Sequence, residues 1–264
     1  MSEANKISQG RIFRHGGRPS LIGHRGFGSG VRDGQRENSV SSVLAATEAG
    51  ADWVEIDIRR AADDQLLLHH DGMIEGHVIA ELNADDPHLE NLATFDEFLA
   101  GVPSQVGLDI EIKPDLVDAL KPKSTVDLMV DIFRDHAVDN PTIFTSFDTG
   151  SLHQVRSHLP NAAIGFLTWM RYPLEFAVIT AAQLNAEAVC VHVTSLGTQG
   201  SSPAKRKEIA RALSMCEELN IDLMVWGAKP DDVPRLLNQG VDALTVDHVR
   251  ETRRLIDAAA SSSS

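Results

Sequence analysis

A chain of 264 residues has room for one large domain or two small ones, and its 42% hydrophobic content is enough for a sizeable core. The net charge of −14 argues against nucleic acid as a partner, which calls for a basic face, yet it leaves room for a phosphate-bearing ligand where the charge is locally positive or a metal is held. No apolar run approaches the roughly 20 residues of a membrane span, so no stable membrane anchor is expected, and the opening MSEANKISQGRIFRHGGRPS has no apolar signal core.

Strand-like runs recur along the chain, at Leu21–His24, Trp53–Ile58, Leu66–His69, Val106–Ile112, Thr142–Thr145, Ala163–Leu167, Ala188–Val191, Leu223–Trp226 and Ala243–Val246. Helix-like stretches separate most of them: Val40–Glu48, Phe95–Ala100, Val126–His136, Ser151–Ser157, Leu174–Leu184, Ala204–Leu219, Val233–Asn238 and Val249–Ala259. This alternation predicts βαβ units and a parallel sheet. Merging the second and third strand runs leaves eight β-units, the count and size of a TIM (β/α)8 barrel with a short excursion after the second unit. The rival is a doubly wound open sheet, but GFGSGV after the first strand misses the G-x-G-x-x-G spacing of its dinucleotide-binding form. The expected organisation is one domain over residues 1–264, with an N-terminal arm at 1–19, a small insertion at 72–106 and a flexible tail at 260–264. Cys190, in a strand run, and Cys216, on an apolar helix stripe, read as core residues of a reducing compartment, the cytoplasm.

In a barrel the reactive groups stand at the C-terminal ends of the strands. The first strand ends in His24-Arg25-Gly26. The second, WVEIDIRR, holds Glu55 and Asp57 two residues apart, and hence on one side of a strand that should be buried. Two buried carboxylates repel and cost desolvation unless a positive charge offsets them. The fourth run, LDIEIK, adds Asp109, Glu111 and Lys113 on one side. Glu55, Asp57 and Glu111 form an all-oxygen set suited to one hard divalent cation, Mg²⁺ or Ca²⁺. His24 and His70, near neighbouring strand ends, can give a proton at one stage and take it at another. Arg25 is a forked donor suited to phosphate and Lys113 a point charge. Together these groups point to phosphodiester cleavage.

HRG at 24–26, Glu37-Asn38, Glu55-Ile56-Asp57, His70-Asp71 and Glu111-Ile112-Lys113, followed by TSFD at 145–148, VWG at 225–227 and GVDALTVD at 240–247, resemble the glycerophosphodiester phosphodiesterase family in order and spacing. The resemblance implies a TIM barrel with one divalent metal on Glu55, Asp57 and Glu111, with His24 and His70 as acid–base groups or nucleophile. It implies phosphate binding by Arg25 and support from Glu37 and Asn38. The implied partner is a small-molecule phosphodiester, hydrolysed to glycerol phosphate and an alcohol, with either water or the substrate's own glycerol 2-hydroxyl as nucleophile.

Other readings stand beside these. Glu55 and Asp57 can instead pair with Arg59 or Arg60. His192 and Trp226 are placed as substrate contacts, with core packing as the alternative. His69 is expected to turn away from His70 into packing, Asp109 to hold a deeper structural hydrogen bond, and Asp247 to support the last loop. Arg32 and Arg36 either reach the phosphate or are solvated. A lysophospholipid-like or other unusual diester is a second function, for which Phe27, Met73 and Trp169 would supply apolar contacts. A barrel that binds a metal or phosphodiester without turnover is a third. The sequence sets neither the ion, the alcohol nor the oligomeric state.

Overall fold

The computed structural model describes residues 12–15, 18–198 and 200–261. Eight parallel strands close into a barrel: β1 (Arg18–Gly23), β2 (Trp53–Arg60), β3 (Gly107–Ile112), β4 (Thr142–Ser146), β5 (Ala163–Leu167), β6 (Ala188–His192), β7 (Asp222–Trp226) and β8 (Ala243–Val246). Closure comes from β8 pairing with β1, Thr245 beside Ile22, and from β1 pairing with β2, Ile22 beside Trp53. The helices α1 (Val40–Glu48), α2 (Phe95–Gly101), α3 (Thr125–Asp135), α4 (Thr149–His158), α5 (Leu174–Gln183), α6 (Pro203–Glu218), α7 (Val233–Gln239) and α8 (Val249–Ser261) lie between and after the strands. Their starts follow the local chemistry: Ser39, Thr94, Ser124, Asp148 and Ser202 each accept a backbone N–H of the first turn. No helix among the described residues is long and apolar enough to cross a membrane.

The period of two along each strand divides the side chains between two cores. Val54, Ile56 and Ile58 of β2, with Leu108, Ile110 and Ile112 of β3, face outward into the layer packed against the helices. Ile22, Trp53, Ile143, Ala163, Ala188, Cys190, Met224 and Ala243 fill the barrel interior. Gly165 belongs to that interior by necessity: a Cβ there would come within 3.0 Å of both Thr145 and Cys190.

Ile12 and Phe13, within the expected N-terminal arm, are part of the interior core. Their backbone N–H groups donate to Asp222 Oδ2 at 2.5 and 3.1 Å, and the Phe13 ring meets Trp53 edge-on at 5.1 Å. Residues 1–11, 16 and 17 of that arm lie outside the described residues, and Arg18 and Pro19 already belong to β1. The third strand-like run is not a barrel strand: Leu66–Leu68 folds back antiparallel on β2 as a hairpin. The excursion therefore starts before residue 72, and it carries a satellite core of Ala61, Leu67, Ile79 and Leu89. It also ends before residue 106, because Phe95, Phe98 and Leu99 of α2 pack into the main helical layer. The predicted flexible tail is corrected in part: Ala260 and Ser261 continue α8, and 262–264 lie outside the described residues.

Phe13 closes the bottom of the barrel, so Phe13→Ala should lower stability by about 3–5 kcal/mol, the usual cost of emptying a buried aromatic site. Urea unfolding followed by fluorescence measures this, and a loss below about 1 kcal/mol would show that the segment merely rests on the barrel.

Candidate active site

Register places the acidic groups. On β2 and β3, Glu55 lies beside Asp109 and Asp57 beside Glu111, and alternation turns all four inward. All four are buried. Asp109 is the deeper one, as expected; it accepts from Thr145 Oγ1 at 2.7 Å and burial pushes its carboxyl up to about 7. Ligand oxygens of Glu55, Asp57 and Glu111 lie within 4.8 Å of one another.

The HRG turn supplies part of the positive charge. Arg25 adopts a left-handed backbone (φ 51°), which directs its N–H to Glu55 Oε2 at 2.7 Å. Gly26 follows at φ 88° and packs so closely on α1 that a Cβ would stand 2.5 Å from Ser42 Oγ, so the turn requires glycine. The Arg25 guanidinium bonds Glu37 through Nη1 at 3.1 and 3.3 Å, and its Nε lies 3.5 Å from Asp57 Oδ2. Glu37 also accepts from Gly30 N at 2.5 Å. Asn38, left-handed at φ 54°, exchanges two hydrogen bonds with Asp57, Nδ2 to Oδ2 at 2.9 Å and Asp57 N to Oδ1 at 3.0 Å. Lys113 Nζ donates to Glu111 and stands 3.1 Å from Asp57 Oδ1.

Among the described residues neither Arg59 nor Arg60 makes an ion pair with this cluster, although Arg59 is near enough to feel the charge of Asp57 and Glu111. Arg60 pairs with Asp64 and Asp118, and Arg59 Nε donates to the His70 carbonyl at 2.8 Å. Two cations, Arg25 and Lys113, thus contact three carboxylates, whose charges would exceed theirs if all three were ionised. The titration reflects this. Burial, then Asp57 and Glu111, push Glu55 well above the usual range, and burial with Asp57 pushes Glu111 up to about 8. Burial opposes charge on Asp57 too, but Lys113, His70, Arg25 and the Asn38 amide outweigh it and hold that carboxylate well below the usual range. Glu55 Oε1 and Asp57 Oδ1 are buried without a hydrogen bond, although Lys113 stands near the latter as an ion-pair partner. Unpaired buried carboxylate oxygens are costly. The cluster is therefore a fit for a hard divalent cation.

The two motif histidines flank the cluster, each on an aspartate. His24 Nδ1 lies 2.8 Å from Asp247 Oδ1, and His70 Nδ1 lies 2.7 Å from Asp71 Oδ1. A carboxylate on Nδ1 selects the tautomer with its proton there and leaves Nε2 with a lone pair. Burial lowers the His70 pKa, and His70 in turn holds Asp71 below its ordinary value. Asp247 also takes Ser29 N and Oγ at 2.9 and 3.1 Å, so the loop it supports is the one after β1 and not the last, and its bond to His24 is a role that the sequence reading missed. The signal was its place, at the end of the strand beside that of His24. Asp71 was visible as the second letter of the His-Asp pair.

Four strand ends on the other side carry rings. Phe147 follows β4, Trp169 follows β5, His192 ends β6 and Trp226 ends β7. Phe147 stacks on Trp169 at 4.4 Å and meets Trp226 edge-on at 6.0 Å, and Trp226 meets His192 at 4.4 Å. His192 Nδ1 lies 2.7 Å from Thr194 Oγ1. His69 is half-buried, and burial lowers its pKa. Phe27 is buried under the Arg250 guanidinium, so it does not serve the mouth as an apolar contact. Arg32 lies 3.7 Å from Asp247, and Arg36 is turned away to the Asn91 carbonyl at 2.7 Å.

Comparison with known proteins agrees with this architecture. The model of the glycerophosphoryl diester phosphodiesterase family matches residues 24–251. The glycerophosphodiester phosphodiesterase GDPD2 of Arabidopsis thaliana is 24% identical over an alignment covering 100% of this chain and 85% of its own. A glycerophosphodiester phosphodiesterase of Caldanaerobacter subterraneus is 25% identical, with 86% and 93% covered. The crystal structure of a glycerophosphodiester phosphodiesterase from Parabacteroides distasonis superposes with a TM-score of 0.75 at 20% identity, over 92% of this chain and 98% of that one, a match of fold. With the family model spanning the barrel from the HRG turn to the last helix, the chain belongs to the glycerophosphoryl diester phosphodiesterase family and is a phosphoric diester hydrolase.

Proposed function

We propose that this protein hydrolyses glycerophosphodiesters to glycerol phosphate and an alcohol, with one Mg²⁺ or Ca²⁺ held by Glu55, Asp57 and Glu111. The observation that carries the reading is the meeting of these three buried carboxylates, with oxygens of Glu55 and Asp57 left without hydrogen bonds, between two aspartate-bound histidines. A bound divalent cation would supply Lewis-acid charge to the phosphoryl group and neutralise what Arg25 and Lys113 leave unmatched.

The residues of the chain do the rest. Arg25 and Lys113 hold the negative charge that grows on the phosphoryl oxygens. Glu37 orients the Arg25 guanidinium, and Asn38 fixes the Asp57 carboxylate by its paired bonds. One of His24 and His70, neutral, takes the proton of the attacking hydroxyl at Nε2, and the other, which starts as the imidazolium, gives its Nε2 proton to the departing alcohol. Asp247 and Asp71 stabilise the imidazolium that forms on each. His192 and Trp226 contact the substrate from the opposite wall. The domain is one unit whose arm and excursion support the barrel. A cytoplasmic setting is supported by Cys190, a thiol buried in the barrel interior.

His24→Ala and His70→Ala should each lower kcat by about 10²–10⁴-fold on glycerophosphocholine while the circular dichroism spectrum stays unchanged. A loss of less than about tenfold in either would remove that histidine from proton transfer. EDTA should abolish turnover and a single added ion restore it; full activity in EDTA would exclude the carboxylate cluster as a metal site. Glu111, held at about 8, is protonated at pH 7 in the metal-free protein, and an arriving cation must displace that proton. Calorimetry of Mg²⁺ or Ca²⁺ binding in buffers of different ionisation enthalpy should therefore show proton release at pH 7 and affinity rising with pH up to about 8. Affinity independent of pH between 6 and 8 would contradict it.

A further inference from the structure

The charged side of the barrel mouth holds a cation that the proposed reaction does not use. Arg59 stands two residues past Asp57 on β2 and on the same side of the strand, one step nearer the mouth. It is half-buried, and its Nε donates to the His70 carbonyl at 2.8 Å. Among the described residues its two Nη groups have no acceptor and it makes no ion pair. The cations around it are committed. Arg25 is held by Glu37 and Asp57, Lys113 by Glu111 and Asp57, and Arg32 by Asp247. In a chain of 38 acidic and 24 basic side chains, partners are plentiful, and a half-buried arginine without one is costly. Burial pulls the Arg59 pKa below its ordinary value, and the more distant pull of Asp57, Asp115, Glu111 and Asp71 does not make up the difference.

The guanidinium is open on the side that a substrate can reach. It lines a cleft with Lys113, Asp115, Gly72 and Ile79 beside the hairpin that follows β2. Gly72 puts no side chain over it: a Cβ there would stand 3.5 Å from Arg59 Nη1. Asp115, the acid of that cleft, accepts from the Val117 N–H at 3.3 Å. The bond to His70 fixes Nε and leaves the two Nη groups for an outside anion, and such paired donors match a carboxylate or a phosphate. Two residues along a strand span about 6.5 Å, so Arg59 reaches beyond a phosphate held by Arg25 beside Asp57, to what that phosphate carries. Its tie to the His70 backbone sets it beside the substituent that passes that histidine.

We propose that Arg59 is a specificity-determining residue that receives a second negative charge, and that the preferred substrate is a phosphodiester whose substituent on the His70 side bears a carboxylate or a phosphate. The anion is taken by Nη1 and Nη2 over Gly72. This inference rests on the phosphodiesterase reading of the same site and adds the class of its substrate.

The test compares kcat/KM, with Mg²⁺ or Ca²⁺ present, within two pairs that differ by one anionic group. These are glycerophosphoserine against glycerophosphoethanolamine, and glycerophosphoinositol 4-phosphate against glycerophosphoinositol. The anionic member should be favoured in at least one pair, and which pair it is tells carboxylate from phosphate. Arg59→Gln keeps an amide for the His70 carbonyl and removes the charge. It should cut the favoured ratio by about 10–100-fold, the worth of hydrogen bonds to a charged group. Gly72→Asp, which sets a carboxylate of the chain itself over Nη1, should cut it as well, and Arg59→Lys should keep part of it. The ratio is insensitive to a general loss of activity. No preference for the anionic member in either pair would overturn the subsite and leave the phosphodiesterase standing. A ratio that Arg59→Gln leaves unchanged, even as both rates fall, would make Arg59 a support for His70 and overturn the subsite too. No turnover of any of the four, nor of bis(p-nitrophenyl) phosphate, would overturn the phosphodiesterase reading and the subsite with it.

Discussion

The burial of three carboxylates against one another is the constraint on which the rest of the site depends. Glu55, Asp57 and Glu111 are turned inward by the same two-residue period that sends Val54, Ile56 and Ile58 outward to the helices, so neither set can move without the other. Like charges at this depth would separate if the chain allowed it. Hydrogen-bonded pairing of β2 with β3, and of both with their flanking strands, does not allow it. The surrounding sequence is organised around the resulting negative field: the left-handed turn at Arg25 brings one backbone N–H and one guanidinium to the cluster, Lys113 brings an ammonium, and Asn38 brings an amide.

That arrangement explains why the short motifs hold together. In His-Arg-Gly, the histidine faces Asp247, the arginine faces Glu55, Asp57 and Glu37, and the glycine lets the turn close against Ser42. In Glu-Asn the two side chains divide the work, one on Arg25 and the other on Asp57. Thr-Ser-Phe-Asp does four separate tasks: Thr145 bonds Asp109, Ser146 bonds the Ile112 carbonyl, Phe147 joins the aromatic wall and Asp148 caps α4. Such runs are short because each spans a strand end, where alternation sends neighbouring residues to the interior, to the helices and to the mouth in turn.

The mouth divides by chemistry because the barrel divides by strand. Charged groups come from four adjacent strands and from the hairpin that follows the second, which adds His70 and Asp71, and the opposite four strands supply rings. The two walls are joined beneath by an apolar plug in which Phe13, Trp53, Ile143 and Met224 exclude water from the lower half. The dry floor raises the electrostatic weight of every charge above it.

Most of this was legible in the chain. Alternation of strand and helix patterns gave the eight-fold repeat, and E-x-D with E-x-K, read at a period of two, put Glu55, Asp57, Glu111 and Lys113 on interior faces before any contact was known. Periodicity acts within a few residues, which is why it suffices there. It could not say that Leu66–Leu68 turns back as a hairpin, because a short apolar strand reads alike in either direction. Nor could it pair His24 with Asp247, 223 residues away, seat Phe13 under Trp53, or set Phe147, Trp169, His192 and Trp226 in one wall. Those contacts exist only once the barrel closes and the last strand lies beside the first. The sequence by itself determined which side chains face inward and what charge they bring, since that depends on local geometry. Tertiary structure alone decided which of them meet, since that depends on closure.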